Sequence, residues 1–517
     1  MIKNITMRRF RVFLIWLPGF LALFLLVSCE RLQVVNPPSG CSGDSPTAPS
    51  LTNNPTLDVI ATNQRPLLSF FNAKGGIGKR TYAIELDTAE TFNSSNLIQY
   101  ADIPETTKYI TEKLVNEDDS LVDNTRYYWC VRAIDSAGNT GPWAKSRFYV
   151  NTKSDDEFMR LVRIPVKGVE VSSGDNIKNI TDIDDPGQVS FWQSTPPGTP
   201  VQWVKFDLEK QTEVSRIWML SNTDRTGDGW LKDFVWQKSD DADKWVDIEG
   251  AAINGNDTYR NIIDIAPVKT RYLRLLIKDW EGYAPQINAV ILYSPGMPPV
   301  PDAPEGDYVL IVGNQMNGFT FTELAQEVES LGLGLKTLTV PNHEVSLQML
   351  EQLKDKPTAI ILSGNNADYP NMPMFEFNGE YEIIRHSDIP ILGICCGHQQ
   401  LAMAYGFTYA RSMGWSDISS MEKPKMRQKI KILKDDPIFE GIPNPFDGAE
   451  VHGWSIGHLP EGFQVIAQSD YIQAIKNTSR FIYGEQFHAE IQVPYNQSKP
   501  YLFNFLRMAK ERKCLIK

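Results

Sequence analysis

Between Ile389 and Tyr405 the chain has to change from strand to helix across one cysteine, and few folds accommodate that change. Ile389-Pro390-Ile391-Leu392-Gly393-Ile394 is a short apolar run suited to a buried strand, and His398 to Tyr405 reads as the start of a helix. The corner between them is Gly393-Ile394-Cys395-Cys396-Gly397. Flanking glycines permit a cramped backbone, so a Gly-x-Cys-x-Gly corner lifts its central thiol out of a sheet. The spacing selects Cys395 as that thiol and leaves Cys396 to backbone and packing. A helix N-terminus favours an anion, and the N–H of Cys396 is placed to donate to an oxyanion.

Far downstream, Gln486-Phe487-His488-Ala489-Glu490 supplies an imidazole and a carboxylate two residues apart. In extended chain, positions i and i+2 project to one side, so Glu490 is expected to orient His488 and His488 to take the thiol proton. The elbow and the distal His-x-Glu resemble the class I glutamine amidotransferases over residues 307–513. Ala359-Ile360-Ile361-Leu362-Ser363-Gly364, Leu459-Pro460-Glu461-Gly462-Phe463 and Ala467-Gln468-Ser469 extend the likeness. The resemblance implies Cys395 as nucleophile, His488 as base and Glu490 as its orienting partner. It implies that Gln399 holds the amino-acid end of a glutamine-like substrate. It further implies a γ-glutamyl thioester, release of ammonia or amine, and hydrolysis.

Two positions depart from the family. A glycine-rich Ser-Gly-Gly-Pro loop is replaced by Ser363-Gly364-Asn365-Asn366, and asparagine is the non-glycine residue that best tolerates left-handed backbone. Gly364 and the N–H of Asn365 are therefore carried as the second oxyanion element, while the added bulk argues against free glutamine. After His452-Gly453 stands Trp454, which reads either as packing or as an aromatic wall for a larger substrate; His452 and Trp454 are candidate substrate contacts.

The remaining chain sets a context unusual for such a site. Arg8, Arg9 and Arg11 precede an apolar run from Val12 to Val27, then Ser28-Cys29. This is the pattern of a signal peptide over residues 1–29, and it resembles a bacterial lipobox, which implies a lipid on Cys29 and a place in the cell envelope. An ordinary spanning helix is the other reading, but the run is short for it. Residues 30–53 are rich in Pro, Ser and Gly and read as a flexible tether. Residues 54–152 carry short alternating strands and resemble a fibronectin type III sandwich, with Tyr127 in the tyrosine-corner position.

Residues 157–297 are again all-β and resemble a discoidin-like (factor V/VIII C-type) domain that overlaps a carbohydrate-binding family. Seven of the twelve tryptophans lie there. Trp203, Trp218, Trp236 and Trp245 fall in apparent strands and are expected in the core. Trp230, Trp280 and Tyr283 fall in turn-like stretches, where a flat ring stacks on a sugar face as readily as it packs inward. The family's Asp-Gly turn is replaced by Asp185-Pro186-Gly187, so calcium is not carried over. Residues 298–306 continue a Pro-rich linker starting near Ser294, expected to be a stiff hinge.

Beyond it, strands and helices alternate, which calls for a doubly wound parallel sheet with sites at strand carboxyl ends. The expected architecture is therefore multidomain: two β-sandwiches followed by an α/β domain. A net charge of −12 argues against nucleic acid as partner. No His or Cys spacing matches a metal site, no cofactor is implied, and the six cysteines show no disulfide framework. The partners expected are an amide substrate, a carbohydrate ligand, and a membrane through the lipid. The leading expectation is an exported thiol amidase. Its competitors are a glycan-binding lipoprotein with a degenerate amidotransferase domain, and a subunit serving a separate synthetase.

Overall fold

The computed structural model describes residues 45–516 apart from 52–58, 62–63, 106–109, 151, 153–160, 182–190, 196–200, 223–227, 257, 316–321, 366–370, 406–426, 457–458 and 461. The leader, most of the tether, Cys29, Cys41, the Asp185–Gly187 turn, Asn366 and His458 lie outside the described residues. Residues 45–517 form one compact unit.

Its C-terminal part is built on a nine-stranded sheet. In spatial order the strands are Lys336–Pro341, Tyr308–Gly313, Ala359–Leu362, Ile391–Ile394, Ile482–Glu485, Ile472–Asn477, Phe463–Gln468, Arg427–Ile432 and Phe446–Ala449. The first five pair in parallel and the rest antiparallel. Alternation along each strand divides the apolar residues between two layers. Leu310, Val312, Ile360 and Leu362 face helices Leu347–Gln352 and Asn378–His386. Val309, Ile311, Ala359 and Ile361 face helices Thr322–Ser330 and Pro500–Ile516. The doubly wound sheet expected from strand–helix alternation is thus present, with both faces covered.

Upstream, strands between Leu161 and Pro295 form a seven-stranded antiparallel sheet whose longest members are Gln202–Leu220 and Arg260–Trp280, with a two-stranded ribbon of Trp192–Gln193 and Gln286–Ile287. Its own core holds Trp192, Phe206, Ile217, Met219 and Trp236. The intervening residues Trp218, Leu220, Ile291 and Tyr293 point the other way and are equally buried, in the apolar layer that includes Met372 and Phe375 of the α/β domain. Two-sided burial explains the continuous runs Ile217–Leu220 and Ala289–Tyr293, which lack alternation. Trp218 is therefore core, as expected, but in the layer that also holds residues of the α/β domain. Trp203 is half-buried, and Trp245 lies outside the strands with Arg274 over its ring at 4.3 Å, contrary to its expected core position. A residue at a hairpin end can keep one ring face against a cation instead of entering the core.

Residues 50–150 fold as a three-stranded sheet against a five-stranded one, and the Tyr127 hydroxyl accepts the Val122 N–H at 3.0 Å. The segment expected as a hinge does not separate the domains. Tyr293–Pro295 pairs with Leu161–Arg163, while Gly296, Met297 and Pro298 line a crevice with His343 and Glu376. Proline stiffness here serves a packed joint, because apolar faces on both sides of the linker are buried against each other.

The elbow leaves little room for a side chain at Gly397. A Cβ on Gly397 would collide with the Leu362 carbonyl oxygen, whereas one on Gly453 meets nothing within 4 Å. Gly397→Ala is expected to destabilise the protein by about 3 kcal/mol, the upper range for overpacking, and Gly453→Ala by less than about 0.5 kcal/mol. Urea unfolding of the two variants against wild type measures both.

Candidate active site

Three parallel strands end at one place and carry the candidate residues. Cys395 follows Ile391–Ile394 and precedes helix Cys396–Met403, with φ 50° and ψ −99°. The expectation that the flanking glycines hold the cramped conformation needs correcting, for the strained residue is the cysteine itself. Gly393 and Gly397 serve close approach: a Cβ on Gly393 would sit 2.5 Å from the Gly397 carbonyl carbon. Hydrogen bonds fix the corner on both sides, from Cys395 N–H to Glu485 O at 2.7 Å and from Gly397 N–H to Ser363 O at 3.0 Å.

His488 follows Ile482–Glu485, and its Nδ1 lies 2.7 Å from Glu490 Oε1. The pair does not form in extended chain, since residues 489 and 490 are in a turn. The turn is held by Asn496, whose Nδ2 donates to the carbonyls of His488 and Ile491, each at 2.9 Å. A Cβ on Gly364 would come within 3.3 Å of His488 Cε1 and 3.6 Å of Cys395 Cβ, so thiol, imidazole and the Gly364 backbone share one small space. With Nδ1 donating to Glu490, Nε2 is left to face the thiol. Burial by itself would lower the His488 pKa. The charges of Glu490 and Cys395 outweigh it and hold the imidazole well above its ordinary value.

The other candidates separate into those at the thiol and those behind it. Cys396 is the first residue of the helix, and its side chain is buried, where Sγ accepts from Gln400. Asn365 stands at the end of Ala359–Leu362, its Nδ2 donating to Asn314 O at 2.8 Å and to Met372 Sδ at 3.2 Å. Gln399 is buried, and its Nε2 donates to Trp454 O at 2.7 Å and Gln486 Oε1 at 3.0 Å, which makes it a brace for the 450–454 segment. That segment forms a wall at the thiol, with Cys395 Sγ donating to the Val451 carbonyl at 3.7 Å.

His452 points away, its ring nitrogens 2.9 Å from Trp454 O and 3.3 Å from a buried Glu450 oxygen. The Trp454 ring belongs to the apolar layer, so of its two readings the structure supports packing. His398 in the motif is wholly buried against the Ile482–Glu485 strand, and burial, then His452, push it down to about 3. It is a neutral core residue.

On the discoidin-like sheet, Trp230 packs against Tyr259 at 5.6 Å and donates from Nε1 to Asn222 O. Trp280 is half-buried against that domain's core. Of the three rings, Tyr283 alone stands largely exposed, its N–H held by Asp228 at 3.0 Å.

Sequence reasoning missed Asn314 and Glu380. Asn314 follows the Tyr308–Gly313 strand, donates from N–H to Ser363 Oγ and from Nδ2 to Ser363 O, each at 3.0 Å, and contacts Glu380 Oε1 at 3.5 Å. Its place at a strand carboxyl end was the available signal. Glu380 gave none, because a carboxylate in a helix ordinarily reads as surface. Here it is wholly buried, and burial pushes its carboxyl up to about 8.

Thiol, imidazole and carboxylate at the carboxyl ends of a doubly wound sheet are the outline of acyl-transfer chemistry. Residues 317–509 match the family described as glutamine amidotransferase class-I, and residues 166–290 match the F5/8 type C domain. The chain is 32% identical over 164 residues to a glutamine-hydrolyzing GMP synthase subunit of Archaeoglobus fulgidus, covering 31% of this chain and 78% of that protein. It is 38% identical over 142 residues to a glutamine-hydrolyzing GMP synthase of Thermosipho melanesiensis, covering 26% of this chain and only 24% of that protein. A solved carbohydrate-binding structure, CpGH89CBM32-6 produced by Clostridium perfringens, aligns at 21% identity over 25% of this chain and 92% of its own, with a TM-score of 0.21. Through its C-terminal domain the chain belongs to the class I glutamine amidotransferase family.

These environments set the expected response to pH. Because Glu490 is the larger charge raising His488, Glu490→Gln should shift the imidazole titration, followed by NMR, to lower pH than in wild type. Glu380 has a folded pKa raised above its unfolded value, so its own contribution to stability is full below about 4.5 and is lost as pH rises through about 8. Glu380→Gln should match wild type near pH 4 and exceed it at pH 9 by a few kcal/mol at most, read by urea unfolding at both pH values.

Proposed function

We propose that the chain is an exported, lipid-anchored thiol amidase acting on glutamine or a γ-glutamyl amide, with the discoidin-like domain as a glycan-binding module. The observation that carries the amidase reading is the 2.7 Å His488–Glu490 contact beside the strained Cys395. In the first half-reaction the Cys395 thiolate attacks the carboxamide carbon. The oxyanion is held by the N–H groups of Cys396 and Asn365. The imidazolium of His488 gives its proton to the departing nitrogen, the C–N bond breaks, and ammonia or amine leaves a thioester. Water, deprotonated by His488, then adds to the thioester carbon; the C–S bond breaks, the carboxylic acid leaves, and the thiolate and imidazolium are restored.

Export and lipid attachment rest on the Val12–Val27 run and Cys29. A glycan ligand is supported by the family match of residues 166–290 and the exposed Tyr283. The fibronectin type III reading of residues 54–152 is supported by the two-sheet packing and the Tyr127 hydroxyl bond. A second reading is favoured by the relatives' names: a glutamine-hydrolyzing GMP synthase subunit implies a glutaminase that works for a partner synthetase.

Purified protein beginning at residue 30 should release ammonia or amine from a glutamine and γ-glutamyl panel, and Cys395→Ala should reduce this by about 10⁴-fold or more. Equal inertness of wild type and variant would leave the non-catalytic glycan-binding lipoprotein as the reading. Recovery of an ATP-dependent synthetase in a pull-down would favour the subunit role.

A further inference from the structure

The oxyanion loop is held from two directions. From within the α/β domain, Asn314 grips the loop by three contacts: N–H to Ser363 Oγ, Nδ2 to Ser363 O, and its own carbonyl to Asn365 Nδ2. The second grip on Asn365 is Met372, which is buried in the apolar layer that Trp218 and Tyr259 of the discoidin-like domain also enter.

Residues 371–377 of the α/β domain are bonded to that sheet at several points. The Tyr259 hydroxyl donates to Asn371 Oδ1 at 3.3 Å. Arg163 holds Glu376 with two bonds of 2.6 Å, and the Tyr293 hydroxyl adds a third at 2.7 Å. Phe375 lies edge-on to Tyr293 at 5.1 Å and under the Arg216 guanidinium at 4.5 Å. Glu376 is almost wholly buried, and these three bonds to its carboxylate all come from the discoidin-like domain. A buried bidentate carboxylate–guanidinium pair with a third donor fixes geometry more than it adds stability, because desolvation offsets its attraction.

A spacer module that merely carried a ligand site would not need such a joint. We infer that the discoidin-like domain is a positioning part of the thiol site, with Arg163, Tyr293 and Tyr259 holding residues 371–377 so that Met372 keeps Asn365 at the oxyanion. The inference rests on the amidase reading, in which the Asn365 N–H stabilises the tetrahedral intermediate. It assigns the sheet a role at the reaction centre that does not depend on any sugar. Misplacing an oxyanion donor lowers turnover while leaving ground-state binding and the thiol–imidazole pair intact.

The test compares two reactions of the same cysteine in purified full-length protein. Amide hydrolysis needs the oxyanion donors; alkylation of Cys395 by iodoacetamide, a displacement at carbon, does not. Tyr259→Phe removes one hydroxyl from the joint, and Arg163→Met/Glu376→Met replaces the ion pair with side chains of similar volume and no stranded charge. The expected result is a kcat loss of about threefold for the first and about tenfold or more for the second. KM and the alkylation rate should stay within about twofold of wild type. Lys167→Ala, at an exposed position of the same domain, should change neither reaction.

Hydrolysis and alkylation falling together would mean general damage and overturn the inference. So would unchanged hydrolysis in folded variants, while leaving the amidase reading standing. A wild-type protein that is alkylated at Cys395 yet cleaves no amide would overturn the amidase reading and this inference with it.

Discussion

The close crossing of the elbow helix over the neighbouring strand end is the constraint from which the site follows. Gly397 lies so near the Leu362 carbonyl that no side chain fits between them, and its N–H bonds the next carbonyl, that of Ser363. One contact thereby sets the distance between the Cys395 corner and the Ser363–Asn365 loop. Cys395, caught between that helix and its bond to Glu485, is forced to positive φ, and its thiol is turned toward His488 and the Val451 carbonyl. Strain at Cys395 is balanced by packing that a single methyl group on Gly397 would disrupt.

Around this corner lies an unusual amount of buried polarity. Glu380, Glu485, His398 and His452 are all withdrawn from solvent. Burial and the neighbouring Glu490 charge push the Glu485 carboxyl well above its usual range. At His488 the opposing effect comes first from Glu490, whose charge raises the imidazole against the cost of burial.

Much of the α/β domain was legible from sequence because local rules and tertiary structure agree there. Ala359–Leu362 and Ile391–Ile394 are short apolar runs in a sheet covered on both faces, and the elbow glycines announce a crossing. Cys395, His488 and Glu490 were singled out because thiol chemistry demands those residue types in a rare spacing, and the structure brings the three side chains together at the strand ends. Elsewhere the same reasoning failed for physical reasons. Ile217–Leu220 has no alternation because the strand is buried on two sides, so Trp218 was legible as core but the layer it enters was not. Trp245 looked like core but rests under Arg274 beyond a strand end. His452 and Gln399 have the polarity of ligand contacts, yet their hydrogen bonds run inward to Glu450, Trp454 and Gln486.

By itself the sequence determined the chemistry available: a thiol at a strand-to-helix corner, an imidazole with a carboxylate two residues on, and a doubly wound sheet to bring them together. Those features depend on residue type and short-range spacing. Tertiary structure decided how the parts are held. Arg163 and Glu376 are 213 residues apart, and nothing local to either foretells a buried bidentate pair. Nor could spacing show that the turn after His488, rather than an extended strand, brings Glu490 to Nδ1. Long-range partners are selected by the burial of whole faces, and that selection exists only once the domains have packed.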